Sequence, residues 1–284
     1  MASNPVFSRI DKQIKAGDYA GFDRQTASPR TSRGSDVQDS SAETLQDLYN
    51  QRSAGPVQMG RVTLDDVVMK TLGLFSIVVV VGAASWLAVD SSPNQALGFP
   101  LLLGGMLGSL ALGLVIAFKK TISVPLIVLY AVLEGVFVGA VSSLFNTMFE
   151  GIVTTAVIAT VCTFAGMFLG WKVGIIRVTD RSRRIFGMAV IGYLLFGLVN
   201  LVVAMMGGGG GFGIGGSGLL GIGISVLGVG LASYSLAVDF DSVDRAVAAQ
   251  APEKYSWLLA HGLIVSLVWL YLEILRLLAR LRSQ

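Results

Sequence analysis

The sequence predicts an all-α membrane protein, built as a bundle of seven transmembrane helices. Hydrophobic residues make up 53% of the 284-residue chain and charged residues only 14%, a balance that a water-soluble fold would not accommodate. The hydrophobic residues are gathered into seven separate runs, each close to the 20 residues that cross about 30 Å of hydrocarbon at 1.5 Å per residue. Lipid is therefore the expected solvent.

The seven predicted spans lie between about residue 67 and residue 279. They are Val67–Val89, Phe99–Phe118, Ile122–Phe145, Ile152–Trp171, Ile185–Met206, Leu219–Asp239 and Trp257–Ala279. Residues 1–66 contain nearly half of the charged residues and few large hydrophobic ones. Such a segment cannot bury enough surface to offset its ordering entropy, so we expect a disordered cytoplasmic tail, with a short helix near residues 42–51.

The charges of the connecting loops predict the orientation. The loops after the first, third and fifth spans contain no Lys or Arg, whereas the loops after the second, fourth and sixth are basic. The positive-inside bias therefore places the N-terminus in the cytoplasm. Seven crossings put the C-terminus outside, which conflicts with Arg276, Arg280 and Arg282 unless the last span re-enters and returns. The scattered basic residues form no single patch, so we expect no nucleic-acid partner.

Glycine spacing predicts close helix packing. Glycines recur four residues apart at 104 and 108, at 135 and 139, and at 166 and 170. Small residues at this spacing let helix backbones approach each other in lipid. The Gly-rich stretch 207–218 has no Lys-Ser or Lys-Thr pair to complete a phosphate-binding loop and is expected to be a flexible connection.

Ionisable residues within the spans are candidate functional residues, because a charge in hydrocarbon must be paired or hydrated. They are Glu134 in the third span, Asp239 at the inner end of the sixth, and His261 and Glu273 in the seventh. Ser266 and Glu273 are two helical turns apart and share a face. If Asp239 meets that face, a polar track runs toward mid-membrane, where protons and cations compete for buried carboxylates.

Structural roles are the alternative for several of these residues. Asp239, Asp241 and Asp244 can instead cap the inner end of the sixth helix, and they lack the Gly and distal Glu of an EF-hand loop. His261 is more often a satisfied interfacial histidine than a ligand. The lone Cys162 is expected to be a small buried residue, not a disulfide partner or metal ligand.

A protease is the enzyme hypothesis that the sequence raises. Gly215-Gly216-Ser217-Gly218 matches the GxSG pattern of rhomboid intramembrane proteases, and His261 follows in a later span. A serine nucleophile needs its histidine within hydrogen-bond reach. The predicted topology puts Ser217 and His261 at opposite membrane surfaces, so we expect no enzyme activity.

The last two spans resemble the Bax-inhibitor (transmembrane BAX inhibitor motif) family, in its bacterial branch with a long polar N-terminal tail. The resemblance is carried by SLAVDFDSV at residues 235–243, by Tyr255 and Trp257, by the apolar run 263–278, and by Leu133-Glu134-Gly135. It implies a multi-pass protein of the bacterial plasma membrane, with the seventh helix at the centre of the bundle. For some bacterial members it implies a pH-sensitive calcium leak.

Those members close or open their pore with two aspartates that share a proton. Asp239 matches the first aspartate. With Arg276 aligned on the family's basic position, Ser266 stands where the second is expected, so Glu273 or Glu134 would have to substitute. Other members that lack the second acid look like regulators of membrane proteolysis and stress survival.

The leading functional expectation is a pH-sensitive calcium leak gated by Asp239, with Glu273, Glu134 and Ser266 as ion- or proton-sensing residues. Accessory roles are expected for His261, Asp241 and Arg276. No cofactor is expected, and calcium is expected as a transported or bound ion, with Asp239 as its ligand. The alternative is a non-conducting regulator that binds a membrane protease, and a proton-coupled transporter ranks third.

Overall fold

The computed structural model describes residues 60–119, 121–207 and 213–284. The predicted tail up to residue 59, with its short helix near 42–51, lies outside this part of the chain. The helices of the described part are α1 (Leu64–Ser91), α2 (Gly98–Phe118), α3 (Val124–Met148), α4 (Ile152–Lys172), α5 (Asp180–Met205), α6 (Leu219–Ala248) and α7 (Tyr255–Arg282). All seven are long and apolar enough to cross a membrane, which confirms the predicted fold class.

Two predicted boundaries change in ways that matter for the site. Helix α1 begins at Leu64, with the Thr63 side chain accepting a hydrogen bond from Asp66 N at its start, so the polar tail ends before residue 66. Helix α6 continues to Ala248, nine residues beyond the predicted end at Asp239. The hydrophobic run that predicts the span ends where polar side chains begin, but the helix itself continues through these polar residues. Asp239 therefore lies inside α6 and does not cap it.

The helices alternate in direction across the bundle. We call the side where α1 and α7 begin the N-terminal face, and the side where α7 ends the C-terminal face. On the N-terminal face, Val62 N donates to Ala251 O in the α6–α7 loop (2.9 Å). On the C-terminal face, Arg282 donates to Glu150 O in the α3–α4 loop (2.6 Å). Because α7 is one continuous helix, the re-entrant alternative for the last span is wrong.

Helix α7 occupies the centre of the bundle and α5 its edge. Of the most hydrophobic window of each helix, 61% is buried in α7 and none in α5. The main core packs Leu236 and Phe240 of α6 against Leu270 and Leu275 of α7. This difference confirms the central position expected for the last helix, and it leaves α5 exposed to lipid along most of its length.

The predicted close packing of glycines holds for the α1–α3 and α2–α3 pairs. An added Cβ at Gly82 would lie 3.4 Å from Gly135 O, and one at Gly108 would lie 2.8 Å from Leu133 Cδ1. Gly104 and Gly166 meet nothing within 4 Å. Gly105, adjacent to the predicted Gly104, makes the close approach to α3 instead.

Replacing Gly139 with leucine is expected to destabilise the bundle. An added Cβ there would lie 2.8 Å from Ser85 Cβ and closer still to the Gly82 carbonyl oxygen. Backbone atoms cannot move aside as a flexible side chain can, so the loss should reach the upper end of about 1–3 kcal/mol. Thermal unfolding in detergent measures it. Gly166→Leu, on an exposed face, is the matched control, and equal unfolding temperatures for the two variants would contradict this prediction.

Candidate functional site

Asp239 and Ser266 meet at the contact between α6 and α7. Ser266 Oγ donates to Asp239 Oδ2 at 2.5 Å. One turn earlier on α7, an added Cβ at Gly262 would lie 3.7 Å from Asp239 Oδ1, at ordinary contact distance, so the carboxylate lies against α7 at Gly262 as well. Asp239 is partly buried. Among the residues that the structure describes, it forms no salt bridge.

A cluster of ion pairs lies next to Asp239 toward the N-terminal face. Asp241 Oδ2 accepts from Arg183 of α5 at 2.5 Å and from Arg245 of α6 at 2.7 Å, and Arg245 also pairs with Asp180 at 3.1 Å. Arg183 is close enough to attract the Asp239 carboxylate as well. Asp241 thus ties the start of α5 to α6, whereas Asp244 is exposed.

Glu273 lies deeper in the bundle, surrounded by hydrogen-bond donors. Its carboxylate accepts from Tyr193 Oη of α5 at 2.9 Å, from Trp269 Nε1 at 3.2 Å, and from Arg276 Nη1 at 3.2 and 3.3 Å. Its side chain is 3% exposed. An added Cβ at Gly228 of α6 would lie too close to this carboxylate. Glu273 is therefore neutralised by an arginine and held by neutral donors.

The two carboxylates do not approach each other. Seven helical residues separate Ser266 from Glu273, which corresponds to about 10 Å along the helix axis. Between these two levels, Ala232 and Leu236 of α6 and Leu270 of α7 are fully buried in one hydrophobic cluster, and the buried Ser235 beside them donates to Ala232 O of its own helix. We call the three hydrophobic residues the apolar plug. It interrupts the polar track that the sequence predicts.

Glu134 belongs to a separate cluster on another side of α7. It is buried on α3, where the hydroxyl groups of Ser109 and Tyr130 face it. The Tyr130 ring packs edge-on against His261 at 4.4 Å between centroids. At 100° per residue, His261 is about 140° around α7 from Ser266. Glu134 is therefore not adjacent to Asp239.

His261 is buried, with its Nδ1 atom lacking a hydrogen-bond partner among the described residues. Ser217 lies at the C-terminal face, where its carbonyl accepts from the Gln284 side chain at 3.0 Å. Some 21 helical residues, about 30 Å, separate His261 from the end of α7. The structure therefore keeps the serine and histidine of the protease hypothesis on opposite faces.

The arginines at the end of α7 have internal partners, which the loop-charge argument could not anticipate. Arg280 is 1% exposed and donates to Gly221 O and to Ser225 Oγ of α6, the latter at 3.1 Å. Arg276 pairs with Glu273. Their positive charges thus contribute to helix packing, and counting them as loop charges created the conflict with seven crossings.

Three contributors to these clusters were absent from the sequence prediction: Arg183, Tyr193 and Trp269. Arg183 was read as a loop charge, although α5 begins before it. The sequence of an apolar run does not show whether the polar atom of a tyrosine or tryptophan in it faces a carboxylate. Helix periodicity gives the one usable signal, because Trp269 and Arg276 are four and three residues from Glu273.

Asp239 and Ser266 together offer few ligands for a metal ion. One carboxylate and one hydroxyl are too few for the six to eight oxygen ligands that calcium takes. Within the described ranges, no group of three or more His, Cys, Asp or Glu side chains is placed to hold a metal.

Seven helices able to span a membrane, with α7 at their centre and a partly buried carboxylate at the α6–α7 contact, define a polytopic α-helical membrane protein with an intramembrane acidic site. The family model described as Bax inhibitor 1 like matches residues 4–283. The chain therefore belongs to the Bax inhibitor 1 like family. No curated protein matches the chain.

Proposed function

We propose that this protein is a pH-sensitive cation leak of the bacterial plasma membrane, which passes calcium and is gated by Asp239. The observation that carries the proposal is the Asp239–Ser266 hydrogen bond, because it joins α6 to α7 through a partly buried carboxylate without a salt bridge among the described residues. The basic loops favour a cytoplasmic location for the N-terminal face and the N-terminus.

Protonation of Asp239 is the proposed opening step. A hydrogen bond to an ionised carboxylate is about twice as strong as one between neutral groups. Acidification removes the negative charge of Asp239 and weakens the Ser266 hydrogen bond. It thereby loosens the α6–α7 contact between the apolar plug and the N-terminal face. Calcium flux should therefore increase as the pH falls through the titration of Asp239 and decrease as it rises again.

The groups around Asp239 shape this response. Arg183 attracts the ionised carboxylate and so favours the closed state, but its hydrogen bond goes to Asp241. On α7 the nearest titratable side chain is His261, one residue from Gly262, and its ring faces Tyr130 of α3. Glu273 is held by Arg276, so we assign it a structural role, and Glu134 acts at most from the other side of α7.

The test is calcium flux into liposomes that contain the purified protein, measured over a neutral-to-acidic pH series. Asp239→Asn is permanently neutral, so its flux should stay at the acidic level at every pH. Asp244→Asn, an exposed aspartate five residues later on the same helix, should retain the pH dependence. An Asp239→Asn variant that titrates like the unmodified protein would overturn the gating proposal.

A non-conducting regulator is the second candidate, and the apolar plug favours it, because the plug closes the α6–α7 path in this structure. This function requires no flux at any pH and a membrane protease that co-purifies with the protein. A wild-type protein that passes no calcium while retaining such a protease would replace the leak with this function.

A further inference from the structure

A cavity of about 580 Å³ opens at the C-terminal half of the bundle, away from Asp239. It lies between the end of α3, α5, the start of α6 and the end of α7. Its size falls within the range of small-molecule sites, about 300–1,000 Å³. The residues that matter for its chemistry are Tyr193, Phe196, Gly197, Asn200, Arg276 and Arg280.

The cavity exists because α5 stands away from the rest of the bundle. Its start is tied to α6 by Arg183 and its middle to α7 by Tyr193. Beyond Tyr193, an added Cβ at Gly197 meets nothing within 4 Å. Met148 and Leu201 line the cavity and are 62% and 48% exposed, so it opens sideways onto the lipid-facing surface.

Arg276 brings a positive charge to this hydrophobic opening. Its side chain is 44% exposed, although Glu273 beside it is 3% exposed. Arg276 reaches Glu273 through Nη1 and also interacts with the Tyr193 hydroxyl, and its side chain forms part of the cavity wall. The Glu273 carboxylate also accepts hydrogen bonds from Tyr193 and Trp269, so Arg276 is not its only donor.

The depth of Arg276 matches that of lipid head groups. Six residues, or about 9 Å, separate it from the last residue of α7. An arginine near the end of a membrane helix extends its guanidinium toward the interface, where phosphate groups lie. Arginine also presents several N–H donors in a planar arrangement suited to phosphate oxygens.

We propose that this cavity binds an anionic phospholipid, with the phosphate on Arg276 and one acyl chain between α5 and α6. Phe196, Leu201 and Ile224 supply the hydrophobic surface for the chain. The open side of the cavity lets the second chain stay in the bilayer. The bound lipid fills the gap that leaves α5 detached and completes the coordination of a half-exposed arginine.

The test measures lipid retained by the full-length protein after transfer from nanodiscs that contain equal phosphatidylglycerol and phosphatidylcholine, by native mass spectrometry. Gly197→Leu fills the cavity without a backbone clash, and Gly187→Leu, also with nothing within 4 Å, is its control on the same helix. The double variant Glu273→Gln with Arg276→Gln removes the charge without leaving an unpaired carboxylate. Arg282→Gln, an exposed arginine on α7, is the charge control.

Retained phosphatidylglycerol should exceed phosphatidylcholine in the unmodified protein and in both controls. It should fall about tenfold, the equivalent of about 1.4 kcal/mol, in Gly197→Leu and in the double variant. Unchanged retention in both of these variants would overturn the proposal. So would equal retention of the two lipids by the unmodified protein, because the site would then lack selection for an anion.

Discussion

Replacing Leu270 with serine should open a constitutive calcium leak. Leu270 is fully buried between the level of Ser266 and the level of Glu273, where it packs with Leu236 and Ala232 of α6. A serine would remove most of the hydrophobic volume and introduce a hydroxyl, so that water can join the two polar levels. We expect flux at neutral pH to increase about tenfold or more, as a barrier lower by about 1.4 kcal/mol would produce.

Liposome flux at neutral and acidic pH measures this effect. The pH dependence should shrink in Leu270→Ser, because the plug no longer closes the path when Asp239 is ionised. Val265→Ser, five residues earlier on an exposed part of α7, introduces the same hydroxyl on the lipid side and should leave flux unchanged. If Leu270→Ser conducts no more than Val265→Ser, the path does not run along the α6–α7 contact.

The sequence predicted the fold well because each membrane helix requires a hydrophobic run of about 20 residues, and such runs can be recognised in the sequence alone. Seven such runs correspond to the seven observed helices. The ends were less accurate, since Asp239 to Ala248 is helical but too polar to count as a span. That error changed the interpretation of Asp239, which looked like a helix end and is an interior residue that faces α7.

The site was predictable only in part, because pairing across helices depends on register. The sequence predicted Asp239, Ser266, Glu273 and Glu134 as candidates, and it proposed Ser266 both from the helical face shared with Glu273 and from a family resemblance. Hydropathy cannot show that Ser266 faces Asp239 while Glu273 faces Gly228 and Tyr193. That separation depends on how α6 and α7 are rotated and shifted along their axes relative to each other. The packing of buried residues such as Leu236 and Leu270 determines this arrangement.

Replacing Arg276 with glutamine should destabilise the protein by about 1–3 kcal/mol, the cost of leaving one buried charged partner unsatisfied, because Glu273 is buried although Arg276 is 44% exposed. The cost arises at Glu273, whose 3% exposed carboxylate would lose its salt-bridge partner. Tyr193 and Trp269 would still donate to it, which keeps the loss from being larger.

Adding Glu273→Gln to Arg276→Gln should restore most of the stability, since neutral groups then replace both charges and Tyr193 keeps an acceptor. Unfolding in detergent at neutral and acidic pH gives the double-mutant cycle. Arg282→Gln, which removes an exposed arginine and its hydrogen bond to Glu150 O, should cost no more than about 1 kcal/mol. Additive losses in the double variant would mean that Arg276 stabilises the bundle through contacts other than Glu273, and Glu273 would again be a candidate for proton sensing.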